Sequence, residues 1–440
     1  MLVKLPKDVG RIMAKLSEGG FDAYVVGNCV RESIMGKKPF AWDLSTNATL
    51  AQMKEVFPEA QVLSEKFGVI RLEYIEEVVD NAGNVVGETG IIADVGTYRS
   101  EKNFVDGRPA DVEFVSTIEE DLKRMDFTVN AIADSQQRYV DMFDGREDLR
   151  KRLIKTVGDA EERFKEDPIR MLRAIRLAAE MDFDLHKSVY EAILANSQLL
   201  EKVKPGKIRD EFTLLITAAH AGKGLKMLMN MGLLWVILGR DLAGRLTGRE
   251  KSDLQALSDG IDKSQQVEER RLGLFYSCIG KKKILPVIEK FNYDETTNQL
   301  LVDAASDLPK FYFTNNKTAL KKFLSERGWE RYRYIENLEK AQRIVFDYDS
   351  ETKIKSKMYL LDEIKSKSEA VFVEDLLIDA NDLVEAGICE PEKADKILSM
   401  LLEEVHTHPL KNNRSQLMKL AKTYSKNKLA AALRGINWSK

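Results

Sequence analysis

The chain has 440 residues, of which 44% are apolar and 32% charged, and a formal net charge of −3, a composition that describes a globular protein of roughly two to four domains. No apolar run approaches the roughly 18 residues of a membrane helix, and the polar-interrupted N-terminus "MLVKLPKDVGRIMAKL" is unlike a secretory leader, so a cytoplasmic protein with no membrane partner is predicted. The near-neutral charge excludes nonspecific coating of nucleic acid, though not a binder whose Lys and Arg lie on one face.

Residues 1–150 read as a mixed α/β head. "PKDVGRIMAKLSEGG" has helical apolar spacing and ends on Gly19-Gly20, and "FDAYVVG" is a short buried strand stopping at a glycine. "VIRLEYIEEVVDNAGNVVGETGIIADVGTYRS" reads as two strands around a turn at Asn81 to Gly83. Ser116 and Glu119 are spaced as a capping box opening "STIEEDLKRMDFTVNAIA". Beyond about residue 150 only helical patterns occur, punctuated by "VKPGK" and "FNYDETTNQ", and no repeat of fixed period is present. The expected architecture is a small α/β head on a long α-helical remainder.

Three cysteines (Cys29, Cys278, Cys389) and four histidines lie far apart, which fits neither a disulfide framework nor a zinc spacing. Any metal must be a hard ion held by carboxylates. In "VVGNCVRE" a strand meets Gly27 and a helix follows, which presents backbone N–H groups and suits a phosphate. Arg31 is then either a bidentate phosphate ligand or a surface arginine. "FAWDLSTNA" puts Asp43 on a short strand; a metal site of Asp-x-Asp type needs carboxylates at 41 and 43, and position 41 is alanine. Asp94, between apolar residues of "IIADVGTYR", is a candidate further carboxylate from a neighbouring strand. Phosphate loop, acidic strand and acidic strand come in the order that two-metal nucleotidyl transfer needs. Asp167 before Pro168 is helix-start chemistry, and Arg170, Arg173 and Arg176 recur every three residues as a basic stripe. Either this is a capped, solvated helix, or Asp167 and Arg170 offer an acceptor and a donor to the edge of a base.

These motifs resemble the class II tRNA nucleotidyltransferase and bacterial poly(A) polymerase family, which includes the CCA-adding enzymes. "GNCVRESIMG" and "AWDLSTNA" are similar to the family's GG-x-VRD and D-x-D-[LI]-x-T-x-A patterns, and "DVGTYR" and "DGRPAD" match two further ones. "EDLKRMDFTVNA" and "VGDAEERFKEDPIRMLRAIRLA" are the long, specific matches. The likeness is strong over residues 1–215 and returns near the C-terminus in "LLIDANDLVEAGI". It implies an α+β fold: a polymerase-beta-like nucleotidyltransferase head (1–150), then an extended all-α neck (151–215), body (216–350) and tRNA-binding tail (351–440). It further implies addition of C, C and A to tRNA 3′ ends from CTP and ATP, with Mg²⁺ and no nucleic-acid template. By position, Gly27, Asn28 and Arg31 would hold the triphosphate and Asp43 with Asp94 would be catalytic and ligate metal. Asp126 would contact the ribose, Asn130 and Arg173 would join the nucleotide site, and Glu166, Asp167 and Arg170 would select the base. Arg99 and the 106–111 loop would assist the switch between C and A addition.

Several departures from the family fall on functional positions. Asn28 replaces a glycine, Glu32 an aspartate, Ala41 a metal carboxylate and Met125 an arginine, while "EPEKADK" stands where a glycine turn is usual in the tail. Ser277-Cys278 occupies the place of a His-Asp dyad carried by some relatives. Three functions remain open: a tRNA nucleotidyltransferase weakened by Ala41, a noncatalytic tRNA- or nucleotide-binding homologue, and a poly(A)-polymerase-like extension of RNA.

Overall fold

Val9, Ile12, Met13 and Leu16 recur at helical spacing and form the buried face of α1 (Lys7–Glu18). The computed structural model describes residues 3–79, 85–105, 107–347 and 351–433, and these fall into two compact units, Met1–Leu246 and Thr247–Lys440.

The first unit is built on a mixed sheet. Its strands are β1 (Tyr24–Val26), β2 (Ala41–Thr46), β3 (Gln61–Ser64), β4 (Val69–Val79) and β5 (Val85–Thr97), followed by β6 (Arg99–Val105), β7 (Arg108–Phe114), β8 (Ala133–Asp134) and β9 (Tyr139–Val140). Seven of them form one sheet in the order β3-β4-β5-β2-β1-β8-β9, and β6 with β7 makes a separate hairpin. Within the large sheet β2 and β5 run parallel and the other pairs antiparallel. The two strands expected around Asn81 to Gly83 are β4 and β5; the turn itself lies outside the described residues. Trp42 and Leu44 of β2 are buried while residues 41 and 43 are exposed, so alternate side chains divide between core and open face.

Short helices link the strands: α2 (Asn28–Ile34), α3 (Leu50–Val56), α4 (Ile118–Leu122), α5 (Gly145–Lys151), α6 (Ala160–Glu166) and α7 (Ile169–Met181). The cap of α4 is Thr117, not Ser116, because burial of Ile118 and Leu122 sets the phase of the helix; its hydroxyl accepts from Glu120 N at 3.4 Å. Nor is everything after residue 150 helical: Leu153–Ile154 pairs in parallel with Asp184–Leu185. Two residues are too few to show a period of two. The fold class is nonetheless α+β, a mixed-sheet head followed in sequence by helices.

The second unit is helical. Lys317–Phe346 contains a break at Gly328, whose φ of 78 lies in the left-handed region. The acidic stretch 390–396 opens the helix Pro391–Thr407, with Pro391 in its first turn. Among the described residues no helix is long and apolar enough to cross a membrane.

His406, in that helix, is buried and its Nε2 donates to Val371 O at 3.0 Å. Burial holds its pKa below 6.5, Lys321 acts in the same direction, and the bond to Val371 opposes. Just below 6.5 the unfolded chain therefore binds more protons than the folded one, so stability present above 6.5 is lost as pH falls through that value. One such group limits the slope to about 1.4 kcal/mol per pH unit. Denaturant midpoints of wild type and His406→Gln should converge as pH drops below 6.5; parallel curves would show that this imidazole contributes nothing.

Candidate active site

β1 ends at Gly27 with φ 75 and ψ −140, a conformation that residues with a Cβ avoid. A Cβ placed there would lie 3.4 Å from Asp43 Oδ2. The turn and the acidic strand are thus in near contact, and α2 begins at once with Asn28. A cavity of about 330 Å³ opens here, lined by Gly27, Asn28, Asp43, Asp94, Asp126 and Asn130 together with Arg99 and Arg124. Six of the residues singled out in the sequence for nucleotide or metal therefore share one cavity.

Arg31 does not line it. Its side chain is buried behind the wall, donating to Asn28 Oδ1 at 2.8 Å and to Asn130 Oδ1. This arginine positions the asparagines that face the cavity.

The carboxylates are ordered by strand register. Asp43 of β2 is level with Asp94 of β5, and Asp94 is level with Arg71 of β4. The three side chains form a row across adjacent strands. Asp43 is reachable from the cavity, yet the protein crowded around its carboxylate penalises charge, and Asp94 beside it adds repulsion; its carboxyl is pushed up to about 6. Asp94 is clasped by Arg71, with Nε to Oδ1 at 2.7 Å and Nη2 to Oδ2 at 2.9 Å. This fork uses both carboxylate oxygens.

A site for two bridging cations needs carboxylates converging on them. Position 41 supplies a methyl group, both Asp94 oxygens face a guanidinium, and no group of three His, Cys, Asp or Glu suited to a metal occurs among the described residues. The residues present do not fit a pair of divalent ions.

Two arginines, Arg99 and Arg124, also line the cavity. Asp121, fully buried on α4, accepts from Ser45 Oγ at 3.0 Å, from Arg99 N at 3.0 Å and from Arg124 Nε at 2.9 Å. It thus holds the Arg124 guanidinium and the Arg99 backbone, while the Arg99 guanidinium donates to Glu101 Oε1 at 2.9 Å. The carbonyl of Met125 accepts from Arg163 Nη2 at 2.7 Å, so a guanidinium from α6 braces this segment.

Asp126 joins the cavity to α7. It accepts from Asn130 Nδ2 at 3.0 Å and Arg173 Nη1 at 3.0 Å. Burial by itself would raise its pKa, but Arg173 and Asn130 together hold it below the usual carboxylate range. Glu211, on the helix Pro205–Thr217, takes Arg173 Nε at 3.3 Å and Arg176 Nε at 2.7 Å. The basic stripe read from the sequence is therefore an ion-paired network.

Glu166, Asp167 and Arg170 group beside this network without lining the cavity. Glu166 receives Arg163 at 2.8 Å and Arg170 at 2.7 Å, and the Arg170 guanidinium lies 5.3 Å from the Phe104 ring centroid on β6. Asp167 is buried, which raises its pKa against the pull of Arg170 and Lys207. Gly107 presses on it so closely that a Cβ there would fall 2.2 Å from Asp167 Oδ1. That glycine belongs to the 106–111 segment; Asp106 lies outside the described residues.

Sequence reading missed Arg71, Asp121, Arg124 and Glu211. Arg71 carried a usable signal, since it stands ten residues before Asn81 while Asp94 stands eleven after Gly83, so the expected turn brings them nearly opposite. Asp121 and Arg124 lay within the "EDLKRMDFTVNA" match, which marked the stretch but not their pairing; Glu211 carried no signal, because a buried acid inside a helix is indistinguishable in sequence from a solvated one.

The poly A polymerase head domain family matches residues 23–155, and a probable RNA- and SrmB-binding region of polymerase A matches 182–243. A CCA-adding enzyme of Streptococcus suis is 30% identical over 399 residues, spanning 90% of this chain and 90% of the relative. One from Lactococcus lactis is 28% identical over 422 residues, covering 94% and 98%. Among solved structures, the Bacillus stearothermophilus CCA-adding enzyme in complex with CTP superimposes with a TM-score of 0.71 at 25% identity, covering 96% of this chain and 98% of that one. The Thermotoga maritima CCA-adding enzyme complexed with tRNA shares the fold at 17% identity and a TM-score of 0.62, covering 96% of each chain. With near full-length similarity to these enzymes and a head in which six of the sequence-marked residues share one cavity, the chain belongs to the CCA-adding enzyme and poly(A) polymerase family of nucleotidyltransferases.

Proposed function

We propose that this protein is a cytoplasmic tRNA nucleotidyltransferase that adds CCA, or part of it, to tRNA 3′ ends from CTP and ATP, at a rate held low by Ala41. The observation that carries the reading is the level pairing of Asp43 and Asp94 beside the Gly27 turn. The strand and turn positions of a nucleotidyl-transfer site survive there although one carboxylate is gone. In this reading the Gly27–Asn28 backbone meets the triphosphate, Arg99 and Arg124 offset its charge, and Asp126 with Asn130 meets the ribose. Arg170, Glu166 and Asp167 form the base-selecting group, with Arg173 steadying Asp126. The divisions 151–215, 216–350 and 351–440 serve as neck, body and tail, the last two gripping tRNA through its phosphates. Enzymes of this family generally use a divalent metal, and Mg²⁺ is the ion we assign. This head lacks the carboxylate set for a pair of them.

The test uses purified protein, tRNA lacking its 3′ CCA, Mg²⁺ and labelled CTP or ATP. The expected result is slow CMP or AMP incorporation, since a single catalytic electrostatic group is worth about a hundred- to a thousand-fold in rate. No incorporation, even with Mn²⁺, would remove the enzymatic reading. A second reading, a noncatalytic tRNA- or nucleotide-binding protein, is favoured specifically by the Arg71 fork on Asp94; tRNA binding without turnover would establish it. Long A tracts on unrelated RNA would instead mark a poly(A)-polymerase-like activity.

A further inference from the structure

The Arg71–Asp94 pair goes beyond a missing carboxylate. Arg71 sits directly opposite Asp94 on an antiparallel strand, so the backbone ladder, not a flexible loop, holds the two together. Both guanidinium bonds are short and converge on the two oxygens that would otherwise face an incoming cation. The side chains are each about one-third exposed, at 33% and 28%. The pair therefore forms one edge of the open acidic row, where a hydrated ion could otherwise reach it. Asp43, the next carboxylate along the row, has no such fork. Its interactions with Arg124 and Arg71 act through space, while Arg124 itself is hydrogen-bonded to Asp121.

We infer that Arg71 is the resident cation of this row and keeps a divalent ion off Asp94, so the head holds no protein-bound divalent ion, and a nucleotide enters with only the ion it carries. The inference rests on the nucleotidyltransferase reading of the head. Loss of a metal carboxylate at 41 and occupation of a second one by a guanidinium act in the same direction. One makes the site too poor in ligands; the other supplies the positive charge that the remaining ligand requires. An isolated Asp94 beside Asp43 would repel it, and the fork relieves that repulsion with a group that cannot dissociate. Positions 41 and 71 together thus decide whether the head takes up a metal.

Mn²⁺ titration of the full chain, followed by the free-ion paramagnetic resonance signal without tRNA or nucleotide, tests this separately from turnover. Wild type and Ala41→Asp should leave the signal unquenched across the range in which the Ala41→Asp/Arg71→Thr double variant saturates. Threonine keeps strand propensity and removes the charge; circular dichroism checks that each variant is folded, and Arg71→Gln in the same background serves as a second neutral replacement. Saturable Mn²⁺ uptake by wild type or by Ala41→Asp would overturn the inference, because Arg71 would then yield the carboxylate. So would folded double variants, with Thr or Gln at 71, that still fail to bind. The tRNA assay can fail while this titration succeeds, which separates loss of turnover from occupation of the metal position.

Discussion

Supplying a carboxylate at position 41 while freeing Asp94, in the double variant Ala41→Asp/Arg71→Thr, raises CMP incorporation into tRNA about a hundred- to a thousand-fold over wild type. Ala41→Asp by itself recovers a small part of that gain. The geometry of β2 permits the first change: residues 41 and 43 both face the open side of the strand, with Trp42 turned into the core between them. An aspartate at 41 therefore stands beside Asp43 without displacing packed atoms. The same geometry explains why it is insufficient. Two carboxylates on β2 repel each other and Asp94, and the third member of the set stays neutralised by Arg71. Substitutions sharing one row of side chains are not additive, and couplings of about 0.5–3 kcal/mol are usual for residues in one network. Single-turnover rates with labelled CTP for wild type, both single variants and the double give the cycle directly. Equal rates for Ala41→Asp and the double variant would show that Arg71 is a passive surface pair, and no gain in either would place the defect elsewhere, with Asn28 the next residue to restore.

What could be read from the sequence was whatever is written locally. Gly27, Asp43, Asp126 and Asp167 each sit in short stretches whose residue order carries their meaning, and "VVGNCVRE" was enough to mark a turn between strand and helix. Arg173 and Arg176 were legible as residues but not as partners. Arg176 has a readable i,i+4 partner in Glu180 and Arg173 is met by Asp126, but the acid that ties the two together is Glu211, 38 and 35 positions further on, and a separation of that length has no periodicity to betray it. Arg31 was ambiguous for a related reason: an arginine one turn into a helix after a glycine is compatible with facing a phosphate or with bracing the wall behind it. Burial decided, placing it against Asn28 and Asn130. The cap of α4 moved by one residue because two buried apolar side chains outweigh the choice between serine and threonine as cap. The second unit was legible as helices and little more, since its buried ion pairs join residues of ordinary surface type.

One of those pairs carries the largest expected loss of stability. Replacing Glu339 by alanine destabilises the second unit by about 3–5 kcal/mol, the usual consequence of stranding one partner of a buried ion pair. Lys357 Nζ donates to Glu339 Oε1 at 2.5 Å and to Phe311 O at 2.6 Å, and lies 4.1 Å from the Phe311 ring centroid. The two charged side chains are 4% and 3% exposed. Three helices meet at this ammonium: Glu295–Phe311, Lys317–Phe346 and Glu351–Ser366. Removing the carboxylate takes the anion from an ammonium that is itself 4% exposed, and the lost attraction is no longer there to offset the cost of burying that charge. Replacing both partners, in Glu339→Leu/Lys357→Met, removes the desolvation cost together with the attraction and should leave stability within about 1–2 kcal/mol of wild type or above it. Denaturant unfolding of the three proteins at fixed pH distinguishes the cases. A Glu339→Ala loss below about 1 kcal/mol would mean that water reaches the ammonium and that the pair behaves as an exposed one. A double variant as unstable as the single would mean that the carboxylate's packing against its neighbours, rather than its charge, holds these helices together.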